Sequence, residues 1–148
     1  MKLRRTTPVV LALLLLAIAP RGLMAQTYAQ QVWDQLQVHY KTIAKNSSDW
    51  YLRNYIMGKL KEDGTDSWTF SFDASASFIL TAACDNDCKD VDMVIKDEND
   101  KVVGKDTKDD DTPVIAFKPD ETGRYTIDIT MVKCKNDPCY FGFGIFQK

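Results

Sequence analysis

Histidine is nearly missing from this chain: His39 is the single one among 148 residues. That scarcity removes the commonest general base and metal ligand from most conceivable sites. Also absent are a glycine-rich phosphate loop, a G-x-S-x-G turn and an H-E-x-x-H helix. The signatures of nucleotide binding, serine hydrolysis and zinc proteolysis therefore have no carrier. Positive charge is not in surplus, with 19 Lys and Arg against 21 Asp and Glu. Phosphate recognition needs clustered cations, so nucleic acid is a poor partner. No apolar run beyond the N-terminus is long enough for a transmembrane helix. There is no strand–helix–strand alternation either, which disfavours a parallel α/β sheet.

What is present begins with a leader. Lys2, Arg4 and Arg5 form a positive segment, Val9–Ala19 is apolar, and Pro20, Arg21 and Gly22 interrupt it. The apolar run is short for a membrane span, so residues 1–25 read as a signal peptide with cleavage at Ala25. Leu23 is larger than a signal peptidase prefers, which keeps an uncleaved anchor open as the alternative. No cysteine follows the apolar run, which argues against a lipoprotein anchor. Cleavage leaves residues 26–148, enough for one domain with a core. Removing Lys2, Arg4, Arg5 and Arg21 leaves 15 basic against 21 acidic residues, a net charge of about −6. The expected location is periplasmic or secreted, with no membrane span after cleavage.

Residues 26–48 read as an amphipathic helix and its exit loop. Ala29, Val32, Trp33, Leu36, Tyr40 and Ile43 recur at three- and four-residue spacing between Thr27 and Lys45. The Trp33/Tyr40 stripe either packs on its own domain or docks a partner; His39, at its flank, reads as an exposed helix histidine. From residue 49 to 148 the period changes to two. Tyr51–Met57, Trp68–Phe72, Phe78–Ala83, Val91–Ile95, Val102–Val103, Val114–Phe117, Tyr125–Met131 and Tyr140–Phe146 are strand candidates. Gly58 reads as a strand end, Asp97–Asp100 as a hairpin turn, and Lys105–Asp111 as a solvated loop. Gly142 and Gly144 leave one face of the last strand bare, as if a neighbour presses there. About eight short strands with regular turns imply an all-β antiparallel β-sandwich of jelly-roll or Greek-key type. Val91, Met93, Ile95, Tyr125, Ile127 and Ile129 should face its core.

Four cysteines in an exported chain read first as two disulfides. Cys84–Cys88 and Cys134–Cys139 are the favoured pairs, because each brackets a tight loop between strands. Cross-pairing would require both loops at one end of the sandwich, and a four-thiolate zinc site is the metal alternative. Asp85, Asp87, Asp90 and Asp92 crowd the first cysteine loop. Hard cations take several oxygen ligands from one loop, so Asp85, Asp87 and Asp90 form a candidate calcium site. A solvated loop whose aspartates cap backbone N–H groups is the competing reading, with Asp92 assigned the capping role.

The Asp90–Ile95 strand with its hairpin through Asp97–Asp100, the Gly123–Ile127 strand and the Pro138-Cys139-Tyr140 segment with Gly142 resemble the bacterial pre-peptidase C-terminal domain family. The resemblance covers roughly residues 56–146. It implies a β-sandwich module of the kind appended to secreted proteases and collagenases, linked to secretion, localisation or substrate binding and usually not catalytic. Some related collagenase modules bind calcium. Sequence and resemblance together lead to an exported, non-catalytic binding or accessory module, not an enzyme, for a protein or polysaccharide ligand. A small hydrolase using loop carboxylates and a purely structural envelope protein are the alternatives.

Overall fold

The computed structural model describes residues 21–148. Most of the expected signal peptide, including its charged and apolar segments, lies outside the described residues. Its last residues, Arg21–Ala25, belong to the helix α1, Arg21–Asn46. Eight strands follow: β1 (Tyr51–Leu60), β2 (Thr65–Phe72), β3 (Phe78–Cys84), β4 (Cys88–Lys96), β5 (Val102–Asp106), β6 (Val114–Phe117), β7 (Gly123–Cys134) and β8 (Cys139–Gln147). They form two four-stranded sheets, ordered β1-β8-β3-β6 and β2-β7-β4-β5, with all pairings antiparallel. The chain is thus one long hairpin rolled into two layers, the jelly-roll arrangement.

Alternation places the core. Val91, Met93, Ile95, Ile127 and Ile129 are 0–1% exposed and Tyr125 is 6% exposed. They meet Phe141, Phe143 and Ile145 from the facing sheet. The outer face of the β2-β7 pair is polar, and its side chains pair across strands: Thr65 with Thr130 at 2.8 Å and Ser67 with Asp128 at 2.6 Å. Lys96 reaches the same Asp128 at 2.6 Å. Such cross-strand pairs each add a few tenths of a kcal/mol and fix the register.

β8 departs from simple alternation because it is buried on both faces. Its inner side chains fill the sandwich, and α1 runs along its outer face. Tyr28 stacks on Tyr140 with ring centroids 5.8 Å apart, and Tyr40 stacks on Phe146 at 5.7 Å. Between these stacks Val32 and Leu36 press on Gly142. A Cβ at Gly142 would lie 2.8 Å from Val32 Cγ1 and 3.0 Å from Leu36 Cδ1. The bare glycine face expected from the sequence is the seat of the helix.

Gly58 does not end its strand. β1 continues to Leu60, and the Phe141 ring occupies the place of the missing side chain, 3.0 Å from where a Cβ would be. The loop expected over Lys105–Asp111 is shorter than its charge suggests. Asp106 ends β5 and is only 8% exposed, because its carboxylate accepts the Val114 N–H at 3.1 Å and pairs with Lys108. Specific partners make burying that charge tolerable.

Candidate functional site

The four cysteines form Cys84–Cys88 and Cys134–Cys139, as the loop spacing suggests. Both loops nevertheless lie at the same end of the sandwich, since Cys88 is opposite Cys134 in the β4-β7 ladder. Lys135 N–H donates to Asp87 O at 2.8 Å, and Asn136 Nδ2 donates to Asp87 Oδ1 at 2.8 Å. The β1–β2 turn joins them: Cys134 N–H donates to Glu62 Oε2, and Glu62 N–H donates to Asp137 Oδ1, each at 2.8 Å. The disulfides are buried parts of this end, with Cys84, Cys88 and Cys139 at 0% exposure.

Asp85, Asp87 and Asp90 are not gathered around a common point. Asp85 is 2% exposed, and both its oxygens are occupied. Oδ1 accepts the N–H groups of Asp87 (3.0 Å) and Cys88 (3.2 Å), and Oδ2 accepts that of Tyr140 (2.7 Å). A carboxylate so engaged fastens the first cysteine loop to β8. Asp87 faces outward toward Asn136 and Tyr28; its charge is the main cause raising the Tyr28 hydroxyl above its usual range. Asp90 points to the loop between β5 and β6, beside Asp109 and Lys133. Among the described residues no group of three carboxylate, histidine or cysteine side chains is placed to hold a metal ion. The capping role expected of Asp92 belongs to Asp85. The Asp92 carboxyl makes no hydrogen bond to the described residues, and burial followed by the charge of Asp90 pushes it above the usual range.

His39 is not exposed as expected. It is half-buried between α1 and β3, with Nδ1 2.9 Å from Thr81 Oγ1. Burial lowers its pKa, opposed by the charge of Asp111. Thr81 is 1% exposed, so no substrate reaches its hydroxyl. The pair fastens the helix, as does Gln35, whose Nε2 donates to Cys84 O at 2.8 Å.

On the opposite flank of α1 the packing is open. Trp33 leans on Tyr55 of β1, with ring centroids 5.1 Å apart and planes at 56°. Tyr55 remains 52% exposed and Tyr51, on the same strand, 50% exposed. Beside them lies an open groove of about 820 Å³, bounded by Ala29, Gln30, Trp33 and Asp34 on the helix and by Tyr55 and Met57 on the strand. No Lys or Arg belongs to its described lining. Aromatic rings, amides and one carboxylate around a concave surface can hold a ligand by apolar contact and fix it by hydrogen bonds. Sequence reasoning found the Trp33 stripe but read Tyr55 only as one member of an alternating strand. Spacing could not single it out, because a bulge between Leu52 and Asn54 sets Tyr51 opposite Gln147 and Tyr55 opposite Gly144, on different faces of the sheet.

No family model matches the chain, and no curated protein matches it. Among solved structures it is similar to the pre-peptidase C-terminal domain of a collagenase from Bacillus anthracis, at 20% identity and a TM-score of 0.45, over 64% of this chain and 89% of that one. It is also similar to PliG of Aeromonas hydrophila, a periplasmic inhibitor of g-type lysozyme (11% identity, TM-score 0.45, 64% of this chain and 85% of that one). A low-affinity xylan-binding module from Roseburia intestinalis matches at 15% identity and a TM-score of 0.41, over 67% of this chain and 80% of that one.

Proposed function

We propose that this chain is an exported, non-catalytic binding or accessory module and that the groove between α1 and β1 receives its ligand. The observation that carries the reading is the contact of the partly buried Trp33 with the half-exposed Tyr55 beside an open groove edged by Gln30 and Asp34. Clustered exposed aromatics on an otherwise polar surface mark interaction sites. A polysaccharide suits this lining best. Sugar rings offer apolar C–H faces to Trp and Tyr and hydroxyls to amides and carboxylates, and they need no cation. Export is supported by the pairing of all four cysteines, which persists in oxidising compartments. No helix among the described residues is long and apolar enough to cross a membrane.

The test is calorimetric titration of neutral polysaccharides into the wild type and into Trp33→Ala and Tyr55→Ala. Binding should be weak, with a Kd near the millimolar end of the scale, and should fall at least tenfold in each variant, about 1.4 kcal/mol. Unchanged affinity in both variants refutes the groove. Binding of a protein from the native envelope that competes at Trp33 would keep the groove and change the ligand class. Release of new reducing ends from the polysaccharide would turn the reading to a hydrolase.

A further inference from the structure

Asp90 on β4 is a charged residue in a place that does not suit a charge. It is 5% exposed, and its Oδ1 is buried without a hydrogen-bond partner. Its Oδ2 lies 4.0 Å from Lys133 Nζ of β7, too long for a hydrogen bond. The same Nζ is 2.7 Å from Asp109 Oδ1, in the loop between β5 and β6, so the lysine is committed to Asp109. The Asp90 and Asp109 carboxyls flank the same ammonium group, Lys133 Nζ, Asp90 at 4.0 Å and Asp109 at 2.7 Å. That loop lies against β4 along the same line, because Val91 N–H donates to Asp110 O at 3.1 Å.

The charged surroundings are mostly negative. Asp92 stands next along β4, Asp106 ends β5, and Asp109 and Asp110 come from the loop. Lys133 is the cation contributed by β7, while Lys108 is turned to Asp106 at 3.2 Å. Asp111, in the same loop, lends its charge to His39 of α1. An ionised Asp90 would therefore be buried with one oxygen unsatisfied and like charges on several sides, which is costly. A proton on Asp90 removes that charge and supplies a donor for Asp109.

We propose that a proton held by Asp90 and donated to Asp109 latches the β5–β6 loop onto β4, and that loss of this proton to solvent loosens the loop. The two carboxyls shift in opposite senses. Burial, then the Asp109 charge, pushes Asp90 above the usual carboxylate range. The hydrogen bond and charge of Lys133 hold Asp109 below it. Asp90, raised on folding, stabilises the fold fully below its unfolded pKa and loses that contribution as pH rises through its folded value. Asp109, lowered on folding, contributes above its unfolded pKa and loses that contribution as pH falls through its folded value. The latch is tightest between the two folded values and loosens as pH rises out of that window.

The experiment is an NMR titration of the full chain from about pH 3 to pH 8, spanning the carboxyl range. It follows Asp90 and Asp109 side-chain 13Cγ, the Val91 amide and the relaxation of loop residues 107–112. Asp90 should titrate with a midpoint above that of the exposed aspartates. The Val91 amide should move with the same midpoint, and loop mobility should rise through it. In Asp90→Asn the side-chain amide donates at every pH, so the loop should stay ordered throughout. In Asp109→Asn the Asp90 midpoint should fall. The wild-type titration stands alone if a variant does not fold. An ordinary Asp90 midpoint, or a Val91 amide and loop that ignore it, overturns the latch. So does a shift of Asp90 and Val91 on adding calcium at neutral pH that chelator reverses, because the partner of the buried oxygen would then be a cation.

Discussion

Replacing Gly142 by alanine should lift the helix from the sheet. The new methyl would lie 2.8 Å from Val32 Cγ1, 3.0 Å from Leu36 Cδ1 and 3.2 Å from Ile56 O. Optimal carbon contacts are about 3.5–4.0 Å, so the neighbours must retreat by roughly 0.5 Å or more. Val32 is 0% exposed and Leu36 4% exposed, which leaves them little room to turn aside. Overpacking of this kind costs about 1–3 kcal/mol, and the smaller unfolded-state entropy of alanine returns about 0.4–1 kcal/mol. A net loss between about 0 and 2.6 kcal/mol should appear in urea denaturation followed by circular dichroism. Val32→Ala should be destabilising alone, yet it removes the nearest of the three close contacts. The double variant Gly142→Ala/Val32→Ala should therefore be more stable than the sum of the single losses predicts by at least about 0.5 kcal/mol. Additivity within about 0.3 kcal/mol would refute the reasoning, since it would mean that Val32 does not rest on Gly142.

Asp85→Asn should cost roughly 1–3 kcal/mol in the same assay, because an amide cannot accept from all three N–H groups now held by two carboxylate oxygens. Ile127→Ala, at 0% exposure in the middle of β7, should cost about 2–5 kcal/mol. His39 titrates below its ordinary value because it is buried, so its contribution is present above the unfolded pKa and is lost as pH falls through the folded one. The melting temperature should therefore fall on acidification below about pH 6.5, and His39→Gln should lose part of that dependence.

The strand pattern was most legible in the β2-β7-β4-β5 sheet, where one face of β7 is buried and the other is polar and partly exposed. Tyr125, Ile127 and Ile129 alternate with Thr126, Asp128 and Thr130, and the structure buries the first set. The disulfide pairing was legible from the expected export together with one cysteine pair in each tight loop. β3 and β8 were harder to orient, since burial on both faces erases alternation. The docking of α1 was foreshadowed by Gly142, whose meaning depends on a partner about a hundred residues earlier. The acidic loop misled for a different reason. Four close aspartates look alike in sequence, but Asp85 turns inward to three backbone N–H groups, Asp87 turns out, and Asp90 crosses to another loop. Side-chain direction around a bulged strand is not encoded in spacing, and β4 has register shifts on both sides of Asp90. Tyr55 escaped notice because its importance comes from Trp33, which belongs to another element.

The proposed function is tested most directly by mapping where a neutral polysaccharide touches the protein in solution. In 1H–15N spectra recorded during a titration, shifts should concentrate on the Trp33 indole N–H, the Gln30 side-chain amide and the backbone of Tyr55 and Met57. Shifts confined to the disulfide end or to the cleft between Asp97–Lys101 and Lys118–Arg124 would contradict it.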